Sequence, residues 1–142
     1  MKHRDKLILI ISIFIIIVSC YLVWIFAFSP HLDTNKISKI TQYRMPSPPE
    51  IISVYDEDTI KQYVEFFNTI DFTPVVKIRV PRGGWYARCV IEFESGSSYE
   101  MSFEDIYNGC MLLRIDHRYY KISLISYSEL LNIISSSKPH SR

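Results

Sequence analysis

Glu92 and Glu100 are the carboxylate pair that could support acid–base chemistry of the glycosidase kind. Such chemistry needs a cleft and a desolvated acid, one carboxyl protonating the leaving group while the other attacks or activates water. Both residues sit in runs of alternating polarity that read as a flat, exposed sheet face, so catalysis is not expected of them. Asp56, Glu57 and Asp58 could contact a cation, but their spacing lacks the glycine and the distal glutamate of a calcium loop. Acids in the first turn of a helix already have a role against its dipole. His117 has no second His or Cys near it in sequence and reads as a solvated turn residue. Gly83-Gly84 suits a turn and lacks the strand-to-helix setting of a phosphate loop. The three cysteines, Cys20, Cys89 and Cys110, show no metal-ligand spacing, and no Ser, Cys or His grouping suggests a nucleophile. The expectation is therefore no enzyme, no metal and no cofactor. What remains is a basic group. Lys77, Arg79, Arg82 and Arg88 gather by alternation on one exposed sheet face, with Tyr86 among them and Lys77 opposite Arg88. Like charges facing each other across a ladder cost stability. The cluster is thus read as a contact surface for an anionic partner: lipid headgroup, wall polymer or acidic protein. Glu92, Glu94 and Glu100 share that face and offer it an internal balance as well.

Any such surface is positioned by what precedes it. Residues 7–28, LILIISIFIIIVSCYLVWIFAF, hold no charge, Pro or Gly. A helix of that length rises about 33 Å at ~1.5 Å per residue, enough to cross a hydrocarbon core of about 30 Å. Ser12 and Ser19 can return their hydroxyl hydrogen bonds to the preceding turn, and Tyr21 and Trp24 suit the headgroup boundary. Ser29-Pro30 ends the run. Lys2, Arg4 and Lys6 precede the span against only Asp5, and the next cations are Lys36 and Lys39. By the positive-inside bias, residues 1–6 are cytoplasmic and the chain beyond the span is extracytoplasmic. A second reading competes for the same residues. Ile17-Val18-Ser19-Cys20 has the form of a lipobox, which would make Cys20 the lipidated first residue of a mature lipoprotein. Residues 21–28 stay strongly apolar where a lipoprotein starts with a polar tether, so the uncleaved signal anchor is preferred.

Beyond the anchor, residues 29–50 read as a stalk, kept extended by Pro46, Pro48 and Pro49, with a possible edge strand over residues 39–44. Residues 51–136 read as one domain and 137–142 as a frayed tail. A strand over 51–55 leads to Asp56 as N-cap of a helix reaching Ile70, whose apolar stripe is Ile60, Tyr63, Val64, Phe67 and Ile70. Residues 73–80 and 85–94 alternate, and the pattern predicts a hairpin with Val80 beside Trp85, Ile78 beside Ala87 and Val76 beside Cys89. Tyr99, Met101 and Phe103 continue the period of two. An Asn108-Gly109 turn then forces a parity change near residues 104–107 that a bulge would absorb. Residues 110–115 and 119–125 form a last pair around Asp116-His117-Arg118. Ser126-x-x-Glu129 reads as a capping box, with Ile125 and Leu130 as its staple, opening a helix that turns Tyr127, Leu130, Leu131 and Ile134 inward. The predicted class is α+β: a transmembrane helix, then strand, helix, an antiparallel β-meander of about five strands, and helix, with both helices on one face. Whether Cys89 and Cys110 bridge is left open by the sequence.

The Asp56-x-Asp58-x-Ile60-Lys61 helix opening, Gly84-Trp85-Tyr86, Phe93-x-x-Gly96 and the run from Tyr119 to Ile122 leading to Tyr127-x-Glu129-Leu130-Leu131 carry a resemblance. Over residues 51–134 the chain resembles the small membrane-anchored extracytoplasmic proteins of unknown function found in Gram-positive bacteria. The resemblance implies location and architecture and brings no functional residue.

With a formal net charge of +1 there is no overall field to draw the chain to nucleic acid. The expected function is binding by a small extracytoplasmic domain on a single-pass anchor in the cell membrane. The alternative is a small regulatory subunit docking on another membrane protein through its span, which the near absence of small-residue spacing in residues 7–28 disfavours.

Overall fold

The computed structural model describes residues 3–27, 29–46, 48–75 and 85–137. The chain divides into two units, Met1–Pro30 and His31–Arg142.

The first unit is one helix, α1 (His3–Ala27). Its side chains from His3 to Trp24 are all exposed, including Phe14, Ile16 and Val23. Leu, Ile, Val and Phe surround the axis, so the helix has no polar stripe to turn to water and no apolar stripe to turn to a core. It is long and apolar enough to cross a membrane.

The second unit is an α+β domain. A short 3₁₀ turn (Thr34–Lys36) leads into β1 (Ile37–Arg44), followed by β2 (Glu50–Val54), α2 (Glu57–Thr69), β3 (Thr73–Val75), β4 (Ala87–Phe93), β5 (Ser98–Tyr107), β6 (Cys110–Ile115), β7 (Arg118–Ser123) and α3 (Leu124–Ser136). All seven strands join one antiparallel sheet in the order β2-β1-β4-β5-β6-β7-β3. β4 to β7 form a meander of four strands where about five were expected, and α2 links the two edge strands β2 and β3. The helices pack against each other, α2 also against β1 and α3 against β2, β6 and β7.

The core lies between helices and sheet. Ile60, Tyr63, Val64, Phe67 and Ile70 are buried, the stripe read from the sequence. Asp56 caps α2, its carboxylate accepting from the Thr59 amide at 2.9 Å. Ala87, Cys89 and Ile91 on β4 meet Met101 and Phe103 on β5 beneath that stripe. Ring contacts tie the layers: Phe67 to Phe72 at 4.9 Å and Phe103 to Tyr127 at 5.0 Å.

Three expectations are corrected and one open question is answered. The presumed stalk belongs to the domain, because β1 lies inside the sheet between β2 and β4 and Ile40 is wholly buried. Upstream, Leu32 is buried and clamped to α2: Asn68 accepts from its amide and donates to its carbonyl, both at 2.9 Å. The predicted hairpin of 73–80 with 85–94 does not form over β4. Ala87 stands opposite Arg44 and Phe103, and Cys89 opposite Gln42 and Met101, so both sides of β4 are occupied. β3 pairs with β7 instead, and residues 76–84 lie outside the described ones. The start of α3 is three residues early. Ser123 is its N-cap, accepting from the Ser126 amide at 3.0 Å, and Ile125, assigned to a staple, is 81% exposed. Finally, Cys89 and Cys110 are free thiols.

The parity change is absorbed as expected. The register of β5 against β6 shifts between Phe103 and Asp105, leaving Glu104 as the extra residue of a bulge. Asn108 and Gly109 take φ of 51° and 75°, the left-handed pair that a tight hairpin turn demands.

Candidate functional site

The face of the sheet turned away from the helices is built by the alternate residues of five strands. Opposing positions line up across it: Tyr43 on β1, Arg88 on β4, Ser102 on β5, Arg114 on β6 and Tyr119 on β7. Two arginines thus flank a small serine, each with a tyrosine on its far side. The row arises because antiparallel partners share a face, so period-two placement of polar residues on each strand carries across the ladder.

Three ion pairs lie on this face among the described residues. Arg88 donates from Nη2 to Glu100 Oε2 at 2.6 Å, and its guanidinium lies 5.8 Å from the centre of the Tyr43 ring. Arg114 donates from Nε to Glu104 Oε1. This hydrogen bond holds the proton on Arg114 and raises its pKa further. Lys39 reaches Glu92 at 3.1 Å, and the same hydrogen bond raises the Lys39 pKa against a small opposing effect of burial. The bulge helps here, setting Glu104 where the Arg114 side chain reaches it. Lys121 sits 5.4 Å from the centre of the Tyr107 ring. Tyr119 beside Arg114 has its hydroxyl pKa raised, first by burial and then by the Glu104 charge.

Of the basic group singled out from sequence, Tyr86 and Arg88 are described, whereas Lys77, Arg79 and Arg82 lie outside the described residues. Tyr86 is 49% exposed and immediately precedes β4. Arg88 stands opposite Tyr43 and Ser102 rather than opposite Lys77. Its charge is balanced by Glu100, and Glu92 is engaged with Lys39, so these two carboxylates serve separate ion pairs and not a common catalytic centre. Sequence reasoning missed Tyr43, Lys39 and Arg114 as members of this face, the first two because residues 39–44 read at most as an edge strand of the stalk and not as an inner strand of the sheet.

Among the cavities that indent the described part of the domain are these two. One of about 190 Å³ lies on the outer face between Glu100, Ser102, Arg114 and Asp116. The other, of about 340 Å³, is lined by Ser53, Val54, Tyr55, Asp56 and Thr59 together with Ser136 and Ser137 at the end of α3. In the second, the Thr59 hydroxyl donates to the Asp56 carboxylate at 2.5 Å, the same oxygen that caps α2. Among the described residues no group of three or more His, Cys, Asp or Glu could hold a metal ion. Asp56 is occupied as a cap, and His117 lies in the β6–β7 turn, exposed.

Beneath the helices the core holds a small polar nest. Gln42 points inward from β1, opposite Cys89, wholly buried, and neither amide atom has a hydrogen-bond partner among the described residues. The buried Tyr63 hydroxyl interacts electrostatically with the Cys89 thiol without completing a hydrogen bond of good geometry. Burial pushes Cys89 up to about 12, so it stays a thiol and is no nucleophile at neutral pH. No family model, curated protein or solved structure matches this chain.

Proposed function

We propose that this is a single-pass membrane protein whose domain acts by binding on the extracytoplasmic side. The observation that carries the reading is α1, with apolar side chains exposed all round its axis and no charge from Leu7 onward. In water that surface would be costly at about 25 cal/mol per Å², whereas hydrocarbon accepts it. The helix runs unbroken through Cys20 to Ala27, which favours an uncleaved anchor over lipidation at Cys20. Cations before the span support a cytoplasmic N-terminus.

The proposed contact surface is the outer sheet face, and the proposed partner is anionic: a lipid headgroup, wall polymer or acidic protein. Lys77, Arg79 and Arg82 carry that proposal with Tyr86, while Arg88 contributes less because Glu100 already holds it. Catalysis has no support in the geometry of the face, where each carboxylate noted above serves an ion pair. Two measurements test the reading. Protease added to intact cells should remove a C-terminal epitope, and survival of the epitope until the cells are lysed would reverse the orientation. Full-length protein with Lys77, Arg79 and Arg82 changed to Ser should bind anionic vesicles and isolated cell wall more weakly than wild type. Unaltered binding to both would remove the basic group from the proposal.

A further inference from the structure

The two edges of the sheet are finished differently. At one, β3 has three residues among the described ones, and its middle one is Pro74, which has no backbone N–H to offer a further strand. At the other, β2 (Glu50–Val54) holds no Pro, Lys or Arg and pairs with β1 without a register shift. Its far side has no strand partner among the described residues. Ile51 on this edge is 58% exposed, on the outer face, and Tyr55 just beyond it is 57% exposed. An unprotected, regular, apolar edge is a template for another strand.

We propose that β2 pairs antiparallel with β2 of a second copy, joining two sheets into one. The strand's own sequence selects this occupant. A two-fold axis normal to the sheet keeps outer-face residues opposite outer-face residues, so the axis must pass through a residue and not between two. Centred on Ile51, the pairing would set Pro49 opposite Ser53 of the second copy and lose ladder bonds. Centred on Ser53, it would set Glu50 opposite Asp56, a like-charge contact. Centred on Ile52, all five residues pair, with Glu50 opposite Val54 and Ile51 opposite Ser53 at each end. Neither a proline nor a charge clash enters the ladder.

The register is tested with full-length protein in detergent micelles, its mass followed by light scattering over a range of concentrations. Ile51 and Ser53 are both exposed, and they meet across the proposed axis twice. The I51K/S53K variant sets Lys opposite Lys at both contacts, and the I51K/S53E variant sets Lys opposite Glu. Circular dichroism confirms that both fold. Wild type should dimerise, I51K/S53K should raise the dimer dissociation constant about tenfold or more, and I51K/S53E should stay near wild type. A wild-type chain that is monomeric throughout, or two variants that dimerise alike, would overturn the proposal.

Discussion

Cys89 stands opposite Gln42 and Met101 on the flanking strands, wholly buried, with its thiol pKa raised to about 12 from an ordinary value of 9.0. Tyr63 above it is displaced in the same direction, chiefly by burial. A folded-state pKa above the unfolded one means that the folded state keeps its proton longer. The associated stability is intact below about pH 9 and is lost as pH rises toward about 12, where the unfolded chain ionises first. Denaturant midpoints should therefore fall between pH 8 and about pH 11, and Cys89→Ala should flatten that fall. An identical alkaline slope in the variant would mean that other groups, Tyr63 among them, carry it. The half-buried Cys110 should react with a thiol reagent while Cys89 stays protected until the domain unfolds. On the outer face, Arg88 and Glu100 are each more than a third exposed. A double-mutant cycle should return only about 0.2–1 kcal/mol of coupling, because water and salt screen the pair.

Elements differed in how clearly the sequence announced them, and the reasons are physical. α2 was legible residue by residue because its cap and its single apolar stripe agree, and Phe67→Ala should cost about 3–5 kcal/mol in chemical denaturation. β1 reads from sequence as no more than an edge strand because Gln42 points into the core and Thr41 is buried on the opposite face, which erases the alternation of an inner strand. The partner of β4 was misassigned for a different reason. Alternation fixes the face a residue takes but not the neighbour it meets, and β1, distant in sequence, satisfies β4 as well as a hairpin would. The outer face was accordingly half legible: Arg88, Glu92 and Glu100 could be placed on it, whereas Tyr43 and Lys39 could not. At α3 the S-x-x-E pattern won over an earlier serine that caps the helix directly where β7 ends. Ser123→Ala should then cost about 1 kcal/mol, whereas Glu129→Ala should leave stability within about 0.5 kcal/mol of wild type. A larger loss at Glu129 than at Ser123 would restore the later cap.

At the scale of the whole chain, an apolar helix precedes a domain that satisfies its own core, and the proposed function gives the two units different solvents. The domain buries its apolar residues between two helices and seven strands and turns paired charges outward. α1 does neither, and it is long and apolar enough to cross a membrane. Replacing Ile13 and Ile16 with Arg would set two charges near the middle of the helix, at a cost of about 2.5–3.5 kcal/mol each in membrane insertion. The most direct measurement is fractionation of the full-length chain from cells broken without detergent, followed by high-salt and alkaline-carbonate washes of the membranes. Wild type should stay in the membrane pellet through both washes and be released by detergent alone, with the Arg variant shifting out of the pellet. Recovery of the intact wild-type chain in the soluble fraction, with no detergent added, would contradict the account.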